Sequence, residues 1–522
     1  MLGWVRRILS SRRTPLVLLA IVCALGTGAR AFHLGIPAAT HPGEGYIFDE
    51  HYYVSAARVI AGIPTTKSDA YAGASPTGTD PNGEHPQLGK IVIAAGMKLL
   101  GDNTPGWRIT AVLFGAAAIL LMYWLVRSAG GGQWLALGAA SLASVDNLWL
   151  VHSRIAVLDI YVVPFMLAGA GFYLRRRPVV AGLMIGLGSC FKEFGAYTVF
   201  VLLLLEGMRG LRAQWERRRE RAVGAAATAP GTGVAGASLG AAIRPRATSG
   251  PLAGSSDAAG SSPVAGSPLG AKGAAGSNPA SGGPRTAATQ GGRFRAVWSV
   301  IRRPALLVLV TGLAYFSALS LLDTITTPYS GGHPVDRGQA GICDYALIWR
   351  DGCNHFAFMN HYANRLKDNG HPQGIAAHPF EFWINKKAIS YFKVTRTVTT
   401  TGKPTRTTAL IWFRGEISRV MLITAWLALL LNVWWAIRRR DDLSFLVIAW
   451  ALGTWLPPEL FNLIGDRTTY LYYMVVTMPA LYVAVARFLG AWRLTRWLIV
   501  PWVALLLYDA ANLYPFRTLS GS

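Results

Sequence analysis

Two charged clusters stand near the start of the chain, Phe48-Asp49-Glu50-His51-Tyr52-Tyr53 and Glu84-His85-Pro86-Gln87-Leu88-Gly89-Lys90. A carboxylate can take a proton from an incoming hydroxyl, and nearby cations can stabilise charge developing on a departing phosphate. Those are the two demands of a transfer from an anionic donor. An Asp-Glu pair can equally be ordinary loop solvation. Its position weighs against that reading, because it follows the first long apolar run and further ionisable residues sit in or beside later ones: Asp146, His152, Arg154, Asp159, Lys192, Glu193 and Arg467. Charges at such places are costly unless paired or functional, although an Arg154–Asp159 structural pair would also satisfy two of them.

The scaffold for these residues follows from composition. Of 522 residues, 52% are hydrophobic and 15% charged, against about 25% charged in soluble domains. A net charge of +24 could suggest nucleic acid, but Lys and Arg fall in short runs between apolar segments, as the positive-inside bias predicts, so the lipid bilayer is the expected partner and nucleic acid is not. Arg6, Arg7, Arg12 and Arg13 precede an apolar run over 14–36 with no clear small-residue cleavage site, read as a retained first span with a cytoplasmic N-terminus. Residues 37–105 then form an extracytoplasmic loop containing an interfacial amphipathic helix over 88–100. Spans are expected over 107–126, 133–151 and 155–174, followed by a short re-entering pair, 178–190 and 194–208, with its tip at Phe191-Lys192-Glu193 on the outer side, one helix with a buried ion pair being the alternative.

The Ala/Gly/Ser/Pro-rich stretch 223–292 reads as a disordered cytoplasmic linker dividing an N-terminal transmembrane half, 1–222, from a C-terminal half, 293–522. The second half opens with a span over 304–322 and a long extracytoplasmic loop over 323–416. Spans over 417–437, 443–456, 468–487 and 497–513 follow, with a polar turn at 457–467, for about eleven crossings in all. On this topology Asp49, Glu50, His85, Lys90, Arg154, Lys192 and Arg467 share the outer face. Cys23 and Cys190 read as core residues. Cys343 and Cys353 share a loop where a disulfide is expected if it is extracytoplasmic, with free thiols or a zinc site including His355 and His361 as alternatives. A transporter could use such charges too, but would more often show paired broken helices and internal repeats, which are not evident here.

The run Ile47-Phe48-Asp49-Glu50-His51-Tyr52-Tyr53, followed by Glu84 to Lys90 and an amphipathic stretch, resembles the protein O-mannosyltransferase family in its bacterial form. Members are polyprenyl- or dolichyl-phosphate-mannose-dependent glycosyltransferases of the membrane GT-C fold. Further matches come in family order: Asp146-Asn147, His152-Ser153-Arg154-Ile155, Leu158-Asp159, Gly188 to Lys192 with Gly195, His378-Pro379 with Trp383, and Arg467 to Tyr473.

The resemblance implies an all-α, polytopic GT-C bundle in the plasma membrane with its active site on extracytoplasmic loops. It implies inverting transfer of mannose from a polyprenyl-phosphate carrier to Ser/Thr hydroxyls of secreted or membrane proteins, delivered by the protein-export machinery. Asp49 is implied as the catalytic carboxylate, Glu50 as an aid to acceptor or sugar placement, and Arg154 as the donor-phosphate ligand with Lys90, Lys192 and Arg467 contributing. His85, Asp159, His378 and Tyr470 are implied at the substrate, with no cofactor or essential metal beyond the lipid-linked donor. Two departures stand out: Gln87 replaces a second Pro common in the family, and 323–416 is too short for the sugar-binding domain of eukaryotic members. The same fold acting on a lipid or polysaccharide is the runner-up, and a flippase for a lipid-linked sugar is the alternative from another class.

Overall fold

Helices carry nearly all of the apolar sequence, because a segment immersed in lipid must satisfy its own backbone groups. The computed structural model describes residues 11, 13–39, 44–228, 287–335, 341–400 and 403–516. Among these, six helical stretches are long and apolar enough to cross a membrane and five more apolar helices are shorter. This is a multi-pass membrane bundle.

The first half comprises α1 (Thr14–Ala31), α2 (Glu50–Ala61), α3 (Leu88–Leu100), α4 (Thr104–Ser128), α5 (Gln133–Val145), α6 (Asn147–His152), α7 (Asp159–Leu174), α8 (Pro178–Ser189) and α9 (Tyr197–Thr228). The second half comprises α10 (Ala287–Ile325), α11 (Arg350–Arg365), α12 (Arg419–Arg438), α13 (Asp442–Gly465), α14 (Met478–Leu489), α15 (Arg493–Trp497) and α16 (Ile499–Leu513). The chain divides into a large unit, 1–213 with 299–522, and a small one, 214–298. The described part of the small unit is helical, being the end of α9 and the start of α10. Of the expected linker, residues 229–286 lie outside the described residues.

Several boundaries differ from the sequence expectation for local physical reasons. The span expected over 133–151 breaks at Asp146, whose backbone is extended (φ −64°, ψ 131°) and whose side chain caps α6 by accepting from Trp149 N at 3.2 Å. α7 begins at Asp159 rather than Ile155. The turn expected at 457–467 is largely helical, since α13 runs through Pro457 and Pro458 to Gly465. The loop expected over 323–416 has structure of its own: α11, joined to the preceding segment by a Cys343–Cys353 disulfide, and an antiparallel hairpin of β3 (Ile389–Thr400) and β4 (Lys403–Gly415). Short strands β1 (Tyr329–Ser330) and β2 (His333–Pro334) precede them.

Ion pairs fix the two ends of the bundle. Lys192, in the break after α8, pairs with Asp159 at the start of α7 at 2.6 Å, so the α8–α9 turn lies at the end where α7 begins. Further along α9, Arg209 and Arg212 pair with Asp442 at the start of α13, at 2.6 and 2.8 Å. Arg303 of α10 joins that second end by donating to Tyr173 O at 2.9 Å.

Close backbone approach sets the position of α3. A Cβ on Gly96 would lie 2.4 Å from Gly106 O of α4, a backbone atom that cannot swing aside. Gly96→Ala should therefore destabilise the protein by about 1–3 kcal/mol, read as a lower Tm in detergent.

Candidate active site

The site is built around a turn that holds one carboxylate away from its own helix. Phe48 adopts a left-handed conformation (φ 56°), which costs a non-glycine residue about 1–2 kcal/mol. Its ring packs against Tyr391 and Tyr472, with centroids 4.7 and 6.1 Å away, which offsets that strain. Asp49 follows as the N-cap of α2, where an Asp side chain would ordinarily accept from the first turn. It makes no such bond, and its carboxylate accepts no hydrogen bond from any described residue.

Burial pushes the Asp49 carboxyl up to about 7; Lys192 opposes that rise and Asp159 adds to it. Tyr53, Tyr362, Tyr391, Tyr470 and Tyr472 all stand within electrostatic reach of Asp49. Lys192 Nζ, bound to Asp159, also lies over the rings of Phe194 and Tyr472 at 4.8 and 5.0 Å. His152 stands behind Asp159, with Nδ1 3.8 Å from its Oδ2 and Nε2 2.9 Å from Tyr391 Oη.

His85 and Arg467 complete this end. The Nδ1 of His85 is buried without a hydrogen-bond partner. Burial first, then the charges of Lys192, Lys90 and Arg467, hold its imidazole well below the ordinary range, so it is neutral. Arg467 lies beside Tyr473, Tyr197 and Glu193 and is paired with no carboxylate within 4 Å among the described residues. A free carboxylate poised near neutrality therefore faces a lysine, with an arginine and a neutral imidazole alongside. This arrangement can deprotonate a hydroxyl and receive an anion.

Four expected site residues are placed differently. Glu50, expected at the acceptor or sugar, is fully buried. It accepts from Arg108 Nε and Nη2 at 2.8 and 2.7 Å, from Ile47 N at 2.7 Å and from Ala156 N at 2.8 Å. Arg154, expected at the donor phosphate, donates to Ala29 O and Phe32 O at the end of α1 and to Tyr514 Oη, under the rings of Phe413, Tyr514 and Phe516. Lys90 is fully buried, 2.5 Å from Asp80 Oδ2, and donates to the carbonyls of Asn82 and His85, so it shapes the 80–85 loop from beneath. His378 bonds Asn462 Oδ1 through Nδ1 at 2.8 Å. It touches the site through its backbone neighbourhood, because Ala376 pairs with Tyr470, whose ring stacks on Tyr472 at 5.3 Å.

Other contributors carried little sequence signal. Arg108 opens an apolar span, where a cation is usually an interfacial anchor. Tyr391 lies in the Thr-rich stretch that forms β3. His355 bridges Asp323 Oδ1 at 2.8 Å and Gly83 O at 2.9 Å, supporting the loop that carries His85. Gln87 donates to the same Asp323 oxygen and to Thr326 O, a tie between α3 and α10 that proline could not make.

The helical architecture is that of the GT-C fold. Residues 82–223 match the family model for dolichyl-phosphate-mannose-protein mannosyltransferase; the match takes in Glu84 to Lys90, Asp159 and Lys192 and leaves Asp49 outside. The chain is similar to the polyprenol-phosphate-mannose–protein mannosyltransferases of Corynebacterium glutamicum and Mycolicibacterium smegmatis. The first is 32% identical over 21% of this chain and 22% of the relative, the second 28% identical over 31% of this chain and 29% of the relative. The chain thus spans roughly a quarter of the length of these curated relatives. Its fold matches that of the S. cerevisiae protein O-mannosyltransferase Pmt1-Pmt2 complex bound to the sugar donor, with TM-score 0.59 and 10% identity over 96% of this chain and 90% of that one.

Proposed function

We propose that the protein is an inverting glycosyltransferase that moves mannose from polyprenyl-phosphate-mannose to Ser or Thr hydroxyls of polypeptides. The observation that carries this reading is the unpaired, pKa-raised Asp49 carboxylate facing Lys192 at one end of a GT-C bundle. Asp49 takes the proton of the acceptor hydroxyl as its oxygen attacks the anomeric carbon. The bond from that carbon to the phosphate oxygen breaks on the opposite side, and Lys192 and Arg467 hold the departing polyprenyl phosphate. His85, neutral and with a free ring nitrogen, and Tyr470 suit hydrogen bonding to the sugar. Asp159 keeps Lys192 charged and in place, while Glu50, Arg154 and Lys90 position the elements. The reaction needs no resident cofactor in this reading. The named relatives supply the sugar and the acceptor class, and the charge pattern supports an active site on the outer face of the plasma membrane with the N-terminus and the 223–292 stretch inside.

The test uses the purified full chain in detergent with polyprenyl-phosphate-mannose and a Thr-containing peptide. Mass spectrometry should find the peptide heavier by one hexose. Labelling of lipid or glycan acceptors but never of peptide would replace the protein acceptor with the same-fold alternative. Movement of the lipid-linked sugar across vesicles with no glycosylated product would establish a flippase instead.

A further inference from the structure

At the bundle end opposite Asp49, the C-terminus of α7 and the flank of α4 border an open pocket of about 840 Å³. One wall is apolar, formed by Leu121, Trp124 and Phe172, and the rim is Arg175, Arg176 and Arg177. Among the described residues no carboxylate lies within 4 Å of any of the three guanidinium groups. Arg175 is fixed across the wall, stacked over Trp124 at 5.1 Å with its Nε donating to Ser128 Oγ at 2.9 Å. Trp124 in turn packs edge-on against Phe172 at 4.9 Å.

The turn that presents the other two is strained. Arg176 has φ 62°, at a helix C-terminus where glycine is the low-strain residue. The Arg176 and Arg177 amides close the helix on Tyr173 O and Phe172 O at 2.9 and 3.0 Å. The chain thus spends conformational strain to keep a third cation on a rim that already has two.

We propose that this pocket is a binding site for an acidic phospholipid, whose phosphate is held by the three arginines while its acyl chain lies along Trp124, Phe172 and Leu121. Charge complementarity selects the headgroup, since unpaired guanidiniums in a pocket between apolar helices favour anionic over zwitterionic lipid. The apolar wall selects a lipid over free phosphate, because a soluble anion would leave that wall wet.

The experiment is native mass spectrometry and thermal melting of the full chain in detergent, titrated separately with phosphatidylglycerol, phosphatidylcholine and inorganic phosphate. Wild type should bind phosphatidylglycerol and gain Tm with it, and do neither with the other two. Neutralising Arg175, Arg176 and Arg177 to Gln should weaken phosphatidylglycerol binding about a hundred-fold, at about five-fold per cation. Arg176→Gly guards against a folding artefact: it suits the left-handed turn, so Tm without lipid should be unchanged or higher while phosphatidylglycerol affinity falls about five-fold. Equal binding of the two phospholipids, equal stabilisation by inorganic phosphate, or undiminished affinity in both variants would overturn the site.

Discussion

Asp49→Asn should lower mannosyl transfer by about a hundred- to ten-thousand-fold, the usual contribution of a general base, while the protein folds at least as well as wild type. The two halves of that expectation have one cause. Burial raises the Asp49 pKa from 3.8 to about 7, so in the folded protein the desolvation of the carboxylate outweighs the compensation from Lys192. Between those values the folded state holds a proton that the unfolded state has lost. Stability therefore falls as pH rises through that window and is flat above about 7. Asn removes this cost, and its Tm at pH above 7 should equal or exceed that of wild type. Activity has the opposite pH dependence, since only the deprotonated carboxylate accepts the hydroxyl proton. kcat/KM should rise with pH up to about 7 and level off above it. Initial rates over a pH series, with Tm measured in the same buffers, check both. A pH-independent rate, or full activity in Asp49→Asn, would remove Asp49 from the chemistry.

How much of this was legible in the sequence depends on the element. The helix over 88–100 was readable because its apolar period is strong and glycine ends it at Gly101. The break at Lys192 was readable from a Lys-Glu pair between two apolar runs too short to span alone. The helix break at Asp146 was not, since an Asp inside an apolar run can be a buried charge or a cap with equal ease. The hairpin of β3 and β4 left a signal in the β-branched Val and Thr residues of 389–400 and 403–415, two runs that read as strands once strand propensity is weighed against polarity.

The largest gap concerns direction. Topology sends Arg154, Lys90 and Lys192 to one membrane face, but it cannot say which way each side chain turns. A cation at a helix end can be satisfied by the carbonyls of a neighbouring helix terminus instead of by a ligand phosphate. Arg154 is turned toward Ala29 O and Phe32 O, and Lys90 toward the carbonyls of its own loop, so of the three only Lys192 faces Asp49. The family-model match over 82–223 takes in all three, and such a match does not separate residues that touch substrate from those that hold the loop.

Glu50 shows the difference most sharply, and its substitution should be the most damaging to the fold. Its two oxygens serve Arg108, Ile47 N and Ala156 N, and Arg108 also donates to Leu34 O, Ile36 O and Gly45 O at 3.0, 3.1 and 2.6 Å. One buried ion pair thus ties the turn before Asp49, the end of the first span, and the segment leading to Asp159. Glu50→Ala leaves a buried guanidinium without its charge partner, and should cost about 3–5 kcal/mol. Replacing both partners with apolar residues, as in Glu50→Leu with Arg108→Met, removes the charge problem but leaves those backbone amides and carbonyls unpaired, so stability should recover only in part. Glu50→Gln separates a positioning role from a catalytic one. A residue acting on substrate would lose kcat at unchanged Tm, whereas a residue holding the Asp49 turn should lose Tm and activity together and regain activity when assayed at lower temperature. Melting curves and transfer rates across a temperature series on Glu50→Gln decide between them, and lost activity at an unaltered Tm would return Glu50 to the substrate.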